Sequence, residues 1–344
     1  MFSRILVPLD GSERAERAIP IAVRLVRASG GSIILLRVVA SPIEPAWQAS
    51  ESPSLMQESL DADRVEAAEY LARITAAPVL AGVATSTRVY KGMPAAGILT
   101  VARSQQVDII IMCSHGYTAM TRWALGSVAE KVAFHAPTPV LVLREGGPVP
   151  AALSPDPGTR PLRVLVALDG SERAEQGIEH AAKLIAALAA PAQGALHLTQ
   201  VVEPAPADRM ERNPGGGDES DTKLHKAREY LDTKANQLRK VPTTPAMADR
   251  TLSVTWAVPI DADIAAALIR VAESGEDAQG VAMPGGCDII AMTTHSYSGI
   301  ARWTLGSITA RVLKASMLPL LIIRPPDIME KSNLTWDDAT LLPM

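Results

Sequence analysis

Two Gly-Ser pairs, Gly126-Ser127 and Gly306-Ser307, each open a stretch with helical spacing. The start of a helix offers unpaired backbone N–H groups and a partial positive charge, so it suits a phosphate. The serine hydroxyl can cap the helix or donate to a phosphate oxygen. Upstream of the first pair stands Met112-Cys113-Ser114-His115-Gly116. Gly116 permits close backbone approach or positive φ there. A single Gly-Ser pair is a weak signal, and from spacing alone a plain helix start is favoured.

Other residues invite chemistry less strongly. Asp10-Gly11-Ser12-Glu13 has the spacing of a capping box, which would make Asp10 a helix cap. A ligand role for Asp10 is compatible with that. His115 and His295 each follow a strand-like run, but no carboxylate or nucleophile stands beside either in sequence, and no metal-ligand spacing exists. A turn histidine bonded to loop backbone is the favoured reading. Arg122 and Arg302 could reach a phosphate, and Trp123 and Trp303 could stack. A surface charge beside a packing anchor is the more ordinary role. Cys113 reads as a small inert turn residue.

The composition bounds the function classes. The 344 residues imply about two domains. Hydrophobic residues at 47% and charged residues at 20% exclude a largely disordered chain. Aromatics at 3% leave cores of Ala, Val, Ile and Leu. The net charge of −4 argues against nucleic-acid binding through bulk positive charge. Two cysteines, Cys113 and Cys287, provide no disulfide framework and read as reduced thiols of a cytoplasmic protein. The first residues are apolar but short, with Asp10 close behind, unlike a signal peptide. The longest apolar run, 184–192, falls short of the ~18 residues of a spanning helix. No membrane partner is expected.

The elements that must position the Gly-Ser pairs emerge from a repeat. Ile5-Leu6-Val7-Pro8-Leu9-Asp10-Gly11-Ser12-Glu13-Arg14-Ala15-Glu16 has a near copy in Val164-Leu165-Val166-Ala167-Leu168-Asp169-Gly170-Ser171-Glu172-Arg173-Ala174-Glu175. Arg122-Trp123-Ala124-Leu125-Gly126-Ser127 matches Arg302-Trp303-Thr304-Leu305-Gly306-Ser307. Two such blocks in the same order mark a duplication. The second pair of blocks is spaced more widely than the first, so the second half carries extra residues. Residues 145–161, rich in Pro and Gly, read as a semi-rigid linker between domains 1–144 and 162–324. A Gly-rich loop is expected at 213–218, and residues 325–344 read as a tail.

Each half alternates strand and helix. In the first, the pattern predicts strands at 4–9, 32–39, 85–90, 107–112 and 140–143, and helices at 12–28, 60–75, 95–104 and 127–135. The second half predicts strands at 162–168, 195–202, 252–256, 288–292 and 320–323, with helices at 171–187, 222–239, 262–273 and 307–315. Alternation of this kind implies parallel strands with right-handed helical crossovers. The expected fold class is α/β, with two doubly wound five-stranded parallel sheets in strand order 3-2-1-4-5. Ligands of such sheets bind beyond the strand C-termini where the order reverses, here between strands one and four. That brings the Asp10 turn beside the Cys113–Ser127 turn.

Ile5-Leu6-Val7-Pro8-Leu9-Asp10-Gly11-Ser12-Glu13, Ser114-His115-Gly116 and Leu125-Gly126-Ser127 together resemble the universal stress protein family. The whole chain resembles a tandem member. The resemblance implies a Rossmann-like nucleotide-binding fold, cytoplasmic location, roles in stress tolerance and dimer-like pairing of domains. Some members bind ATP and others do not. Binders typically carry Gly-x-x-Gly-x9-Gly-Ser/Thr after strand four. Here Cys113 takes the first glycine position, while Gly116, Gly126 and Ser127 match. In the second half the positions hold Thr293, Ser296, Gly306 and Ser307, so both early glycines are replaced. Ala167 also replaces Pro8, and Val258 is taken to stand where the first half has Gly92.

By resemblance, Asp10 would contact the adenosine, Pro8 and Leu9 would line the base pocket, and Val38 and Met112 would pack around it. Cys113, Ser114, His115, Gly116, Gly126, Ser127 and Val128 would form the phosphate end. Asp169, Gly306 and Ser307 are their partial counterparts. The implied cofactor is ATP or another adenine nucleotide, with or without Mg2+, about one per chain and held mainly by the first domain. The implied role is non-catalytic and nucleotide-responsive. An interaction protein that needs no nucleotide, with the two domains paired as a pseudo-dimer through their last strands, is the alternative. A slow ATPase ranks below both, because no acid-base or nucleophile constellation is complete. A homodimer and a protein partner are compatible with these readings.

Overall fold

The computed structural model describes residues 2–39, 53–114, 125–144, 146–147, 161–189, 193–204, 217–240, 252–275, 286–294 and 307–325. Side chains of residues 53–60 and 217–220 lie outside the description. The chain divides into two compact units, residues 1–147 and 148–344.

In the first unit the strands are β1 (Arg4–Leu9), β2 (Ser32–Val39), β3 (Ala84–Lys91), β4 (Ile109–Cys113) and β5 (Val140–Leu143). All pair in parallel, in the order β3-β2-β1-β4-β5. Central residues of β1, β2, β4 and β5, such as Ile5, Leu6, Ile33, Leu35, Ile110 and Leu141, are fully buried, while the edge strand β3 is largely exposed. Such apolar runs fit strands covered by helices on both faces. The helices are α1 (Glu13–Glu16), α2 (Ala18–Ser29), α3 (Pro53–Thr75), α4 (Pro94–Ser104) and α5 (Ser127–His135). A short 3-10 turn, Pro78–Leu80, was not foreseen in the sequence.

The second unit repeats this plan. Its strands β6 (Leu162–Ala167), β7 (Gly194–Thr199), β8 (Ser253–Ala257), β9 (Ile289–Thr293) and β10 (Leu320–Ile323) pair in parallel as β8-β7-β6-β9-β10. Its helices are α6 (Glu172–Leu188), α7 (Gly217–Lys240), α8 (Ile264–Ser274) and α9 (Ser307–Ala315). Each unit thus has the order 3-2-1-4-5 within itself, and the strand order reverses beside its first strand.

One difference between the copies has a simple cause. The continuous helix expected over 12–28 is interrupted at Arg17, whereas α6 runs unbroken. Pro20 lacks the N–H that would bond the Glu16 carbonyl, and its ring crowds that carbonyl. Proline is tolerated only in a first helical turn, so a new helix starts at Ala18. Glu179 occupies the matching place in α6. Helices α3 and α7 begin earlier than the apolar pattern suggests, at Pro53 and Gly217. Strand β7 ends at Thr199 rather than at Val202, which forms only an isolated bridge to Ile260. Of the Gly-rich segment expected as a loop, Gly217 and Asp218 are helical, and 213–216 lie outside the described residues.

Candidate functional site

The turn after each first strand is built identically in the two units. Ser12 is the N-cap of α1, with its hydroxyl accepting from the Ala15 N–H. The Asp10 carboxylate accepts from the Ser12 N–H at 3.0 Å and from the Ser12 hydroxyl at 2.6 Å. Asp169 and Ser171 reproduce both contacts at 3.0 and 2.6 Å, and Ser171 accepts from the Ala174 N–H. Gly11 and Gly170 have φ of +88° and +84°, left-handed values that a side chain would strain. The cap is therefore Ser12, not Asp10 as the capping-box spacing suggested. Asp10 buttresses the cap from the preceding turn and stays half-buried at the strand's end.

Beside this turn the first unit holds a cleft of about 1040 Å³. It lies beyond the C-terminal ends of β1, β2 and β4. Pro8, Leu9, Asp10, Val38, Met112, Cys113, Ser114, Gly126, Ser127 and Val128 all line it. The fold thus brings together every site residue expected in the first half that falls within the described residues. His115 and Gly116 lie outside them, as do Gly306, His295, Ser296 and both Arg-Trp pairs.

The α5 end of the cleft has donors to offer. Gly126 is the N-cap of α5 and makes no side-chain cap bond. Its N–H donates to the Ser114 carbonyl at 2.9 Å, and the Ser114 N–H donates to the Leu143 carbonyl at 2.7 Å. The first bond ties the start of α5 to the end of β4, and the second ties that end to β5. Gly126 supplies no side-chain acceptor for the first-turn N–H groups, and donors of this kind suit an anionic ligand. Ser127 is exposed at this start, and Glu130 is an acidic residue in the same turn. Cys113 donates its thiol to the Arg14 carbonyl at 2.8 Å, which binds β4 to α1.

The other side of the cleft was not legible in the sequence. Helix α3 places Asp63, Glu66, Ala67, Glu69, Tyr70 and Arg73 along it, and β2 adds Arg37. Tyr70 is buried, and its hydroxyl donates to Glu16 at 3.0 Å. Burial first, and then the Glu16 hydrogen bond and charge, raise the phenol pKa well above its ordinary value. The guanidinium carbons of Arg37 and Arg73 stand 5.9 and 5.4 Å from the ring centre, a cation–π arrangement. The only sequence signal was the apolar i, i+3 pair Ala67 and Tyr70 in a charged helix.

The second unit keeps part of this frame. Tyr230 donates to Glu175 at 3.0 Å, as Tyr70 does to Glu16, and Lys234 pairs with the same carboxylate at 2.7 Å. Strand register makes Gln200 the counterpart of Arg37 and His197 that of Ile34. His197 is fully buried, with Nδ1 at 2.8 Å from the Thr255 hydroxyl. Burial, then the Arg163 charge, pushes its pKa down to about 3. Among the described residues, the buried Nε2 of His197 and Oγ1 of Thr199 have no hydrogen-bond partner. Thr293 ends β9 in the Cys113 position, and its carbonyl accepts from the Thr309 hydroxyl at 3.1 Å. Register also corrects one correspondence: Val258 follows the β8 residue matched to Arg88, so its counterpart is Val89 and not Gly92.

The universal stress protein family profile matches residues 1–144 and again residues 162–324. The chain belongs to the universal stress protein family. It is a tandem member, with two copies of the domain in one chain. Among its relatives, a universal stress protein of Thermus aquaticus is 33% identical over 145 residues, covering 42% of this chain and 100% of the relative. Another, from Methanocaldococcus jannaschii, is 29% identical over 151 residues, covering 42% of this chain and 84% of the relative. The crystal structure of a universal stress protein from Archaeoglobus fulgidus aligns with 94% of this chain and 97% of its own, with a TM-score of 0.58 at 19% identity. That likeness supports the tandem fold. No described helix of this family member is long and apolar enough to cross a membrane.

Proposed function

We propose that the first repeat, residues 1–144, binds one adenine nucleotide, with ATP the leading candidate, and that the protein acts in stress response as a cytoplasmic, non-catalytic nucleotide-responsive factor. The observation that carries this reading is the cleft at the strand reversal, where Pro8, Leu9, Asp10, Val38, Met112 and the start of α5 meet. Pro8, Leu9, Val38 and Met112 supply an apolar wall for a base. Asp10 can accept from a ribose hydroxyl. The α5 first turn and the Ser127 hydroxyl can donate to phosphate oxygens. The bound nucleotide would supply a polyanionic triphosphate, with or without Mg2+, and the protein's own part is to orient it between the strand ends and the start of α5.

In the second repeat, residues 162–324, Asp169 and Ser307 remain, while Ala167, Gln200 and Thr293 change the counterparts of Pro8, Arg37 and Cys113. We assign this repeat a structural role, reached through the 145–161 linker and followed by the 325–344 tail. Pairing of the two repeats through their all-apolar last strands, Val140–Leu143 and Leu320–Ile323, belongs to the same proposal.

The test is to denature freshly purified full-length protein and identify released nucleotide by mass, with calorimetric titration of ATP and Mg2+ alongside. About one adenine nucleotide per chain is expected, and Ser127→Ala should weaken binding on the order of tenfold through a lost charge-assisted hydrogen bond. No binding at millimolar ATP would overturn the reading and leave the nucleotide-independent interaction protein.

A further inference from the structure

The cleft of the first repeat continues past the expected nucleotide position, across the Asp10–Gly11 turn, to the α3 side. Arg37 dominates that extension. Its guanidinium nitrogens lie 3.4 Å from where a Cβ on Gly11 would stand. A Cβ on Gly11 would stand in ordinary van der Waals contact with the guanidinium, and it is the left-handed φ of +88° that keeps the turn a glycine. The Tyr70 ring, held in place by the hydrogen bond to Glu16, has its centre 5.9 Å from the guanidinium carbon. The guanidinium is thus positioned by two neighbours, neither of which neutralises it. Arg37 makes no hydrogen bond or ion pair among the described residues. Arg73, over the same ring, adds a second positive charge.

A half-buried, oriented guanidinium without an acidic partner has its donor fork available, and that fork matches the oxygens of a phosphoryl group. Asp10 lines the same cleft, half-buried and accepting from the Ser12 N–H and hydroxyl, while the other lining carboxylates, Asp63, Glu66 and Glu69, are exposed on α3. Water and salt screen them, so they weaken this preference without cancelling it. The charge belongs to one repeat only, since Gln200 holds the matching position and its side-chain nitrogen lies 3.8 Å from the virtual Cβ of Gly170.

The place of Arg37 assigns it to a part of the ligand. This step rests on the nucleotide reading above. With phosphates at the start of α5 and the base against Val38 and Met112, the ribose edge lies toward Asp10 and Gly11. We propose that Arg37 is the centre of a second anion subsite, which takes a phosphoryl group carried on the ribose of an adenine nucleotide. The preferred ligand class is then an adenine nucleotide phosphorylated at both the 5′ position and a ribose hydroxyl.

Calorimetric titration of the full chain with AMP, adenosine 2′,5′-bisphosphate and adenosine 3′,5′-bisphosphate tests this. One of the bisphosphates should bind about tenfold tighter than AMP, the effect of one added charge-assisted contact. In Arg37→Gln, which copies the second repeat, the ratio of the two affinities should fall to about one. Arg37→Lys keeps the charge without the fork and should give an intermediate ratio. A thermal melt of each variant shows that it is folded. If the wild-type protein binds AMP and both bisphosphates equally, the subsite is wrong and the nucleotide reading survives. An unchanged ratio in Arg37→Gln also overturns it. If no adenine nucleotide binds at all, the nucleotide reading falls and the subsite falls with it.

Discussion

The two repeats share a frame and differ in what fills it. The Asp-Gly-Ser turn, its serine cap and the tyrosine–glutamate bond recur with the same distances. Around that frame Arg37 gives way to Gln200, Ile34 to His197, Cys113 to Thr293, and the Ile74 position to Lys234. The shared turn and caps satisfy backbone N–H groups, and the shared tyrosine–glutamate bond fastens one helix to another. Arg37 and Cys113 line the cleft, His197 is buried in the sheet, and Lys234 is partly exposed beside Glu175, so these changes alter binding or pH response without breaking the turn. A duplicated domain can therefore keep its architecture while its two copies diverge in chemistry.

The largest effect should come from His197. It is kept neutral when folded, with a pKa near 3 against an ordinary 6.5. In the unfolded chain it takes up a proton as pH falls through about 6.5. Between these values the unfolded state binds more protons, so stability rises with pH and is lost on acidification. The loss should approach about 1.4 kcal/mol per pH unit across that window. Urea unfolding of the wild type against His197→Ile, which restores the first repeat's residue, checks it. The variant should show a flatter pH dependence below 6, and an unchanged slope would show that His197 is not the source.

A smaller and symmetric effect is expected at the caps. Ser12→Ala and Ser171→Ala should each cost about 1 kcal/mol, because each removes the same N-cap bond. Equal losses by chemical denaturation would sharpen the view that the turn is architectural in both copies. A loss confined to one copy would break it. The smallest effect should follow Lys234→Ile. That ion pair with Glu175 is partly exposed, at 26% and 25% of the side-chain surface. Its removal should cost below about 1 kcal/mol and should fade in high salt. A larger loss would mean that the lysine is integral to the second repeat.

Much of the fold was legible because alternating strand and helix patterns allow few topologies. The buried runs at Ile5–Val7 and Ile109–Met112 and the Gly-Ser helix starts located the strand reversal and one side of the cleft. The break at Arg17 was legible in principle from Pro20, but the repeat masks it, since the copy without proline is continuous. The α3 side of the cleft was not legible. Tyr70 and Arg73 sit in a charged helix whose pattern says only that one face is wet, and nothing local ties them to Glu16 or Arg37. The polar insertions His197 and Thr199 broke an apolar strand without showing that the fold would bury them.

By itself the sequence determined the duplication, the α/β alternation and the turns able to receive a phosphate, because these depend on local spacing and backbone requirements. The tertiary structure decided which helix closes the cleft, which serine caps the turn and where the Arg37 guanidinium rests. Those outcomes depend on contacts between segments far apart in the chain, set by packing of helices on a sheet, and no local pattern encodes them.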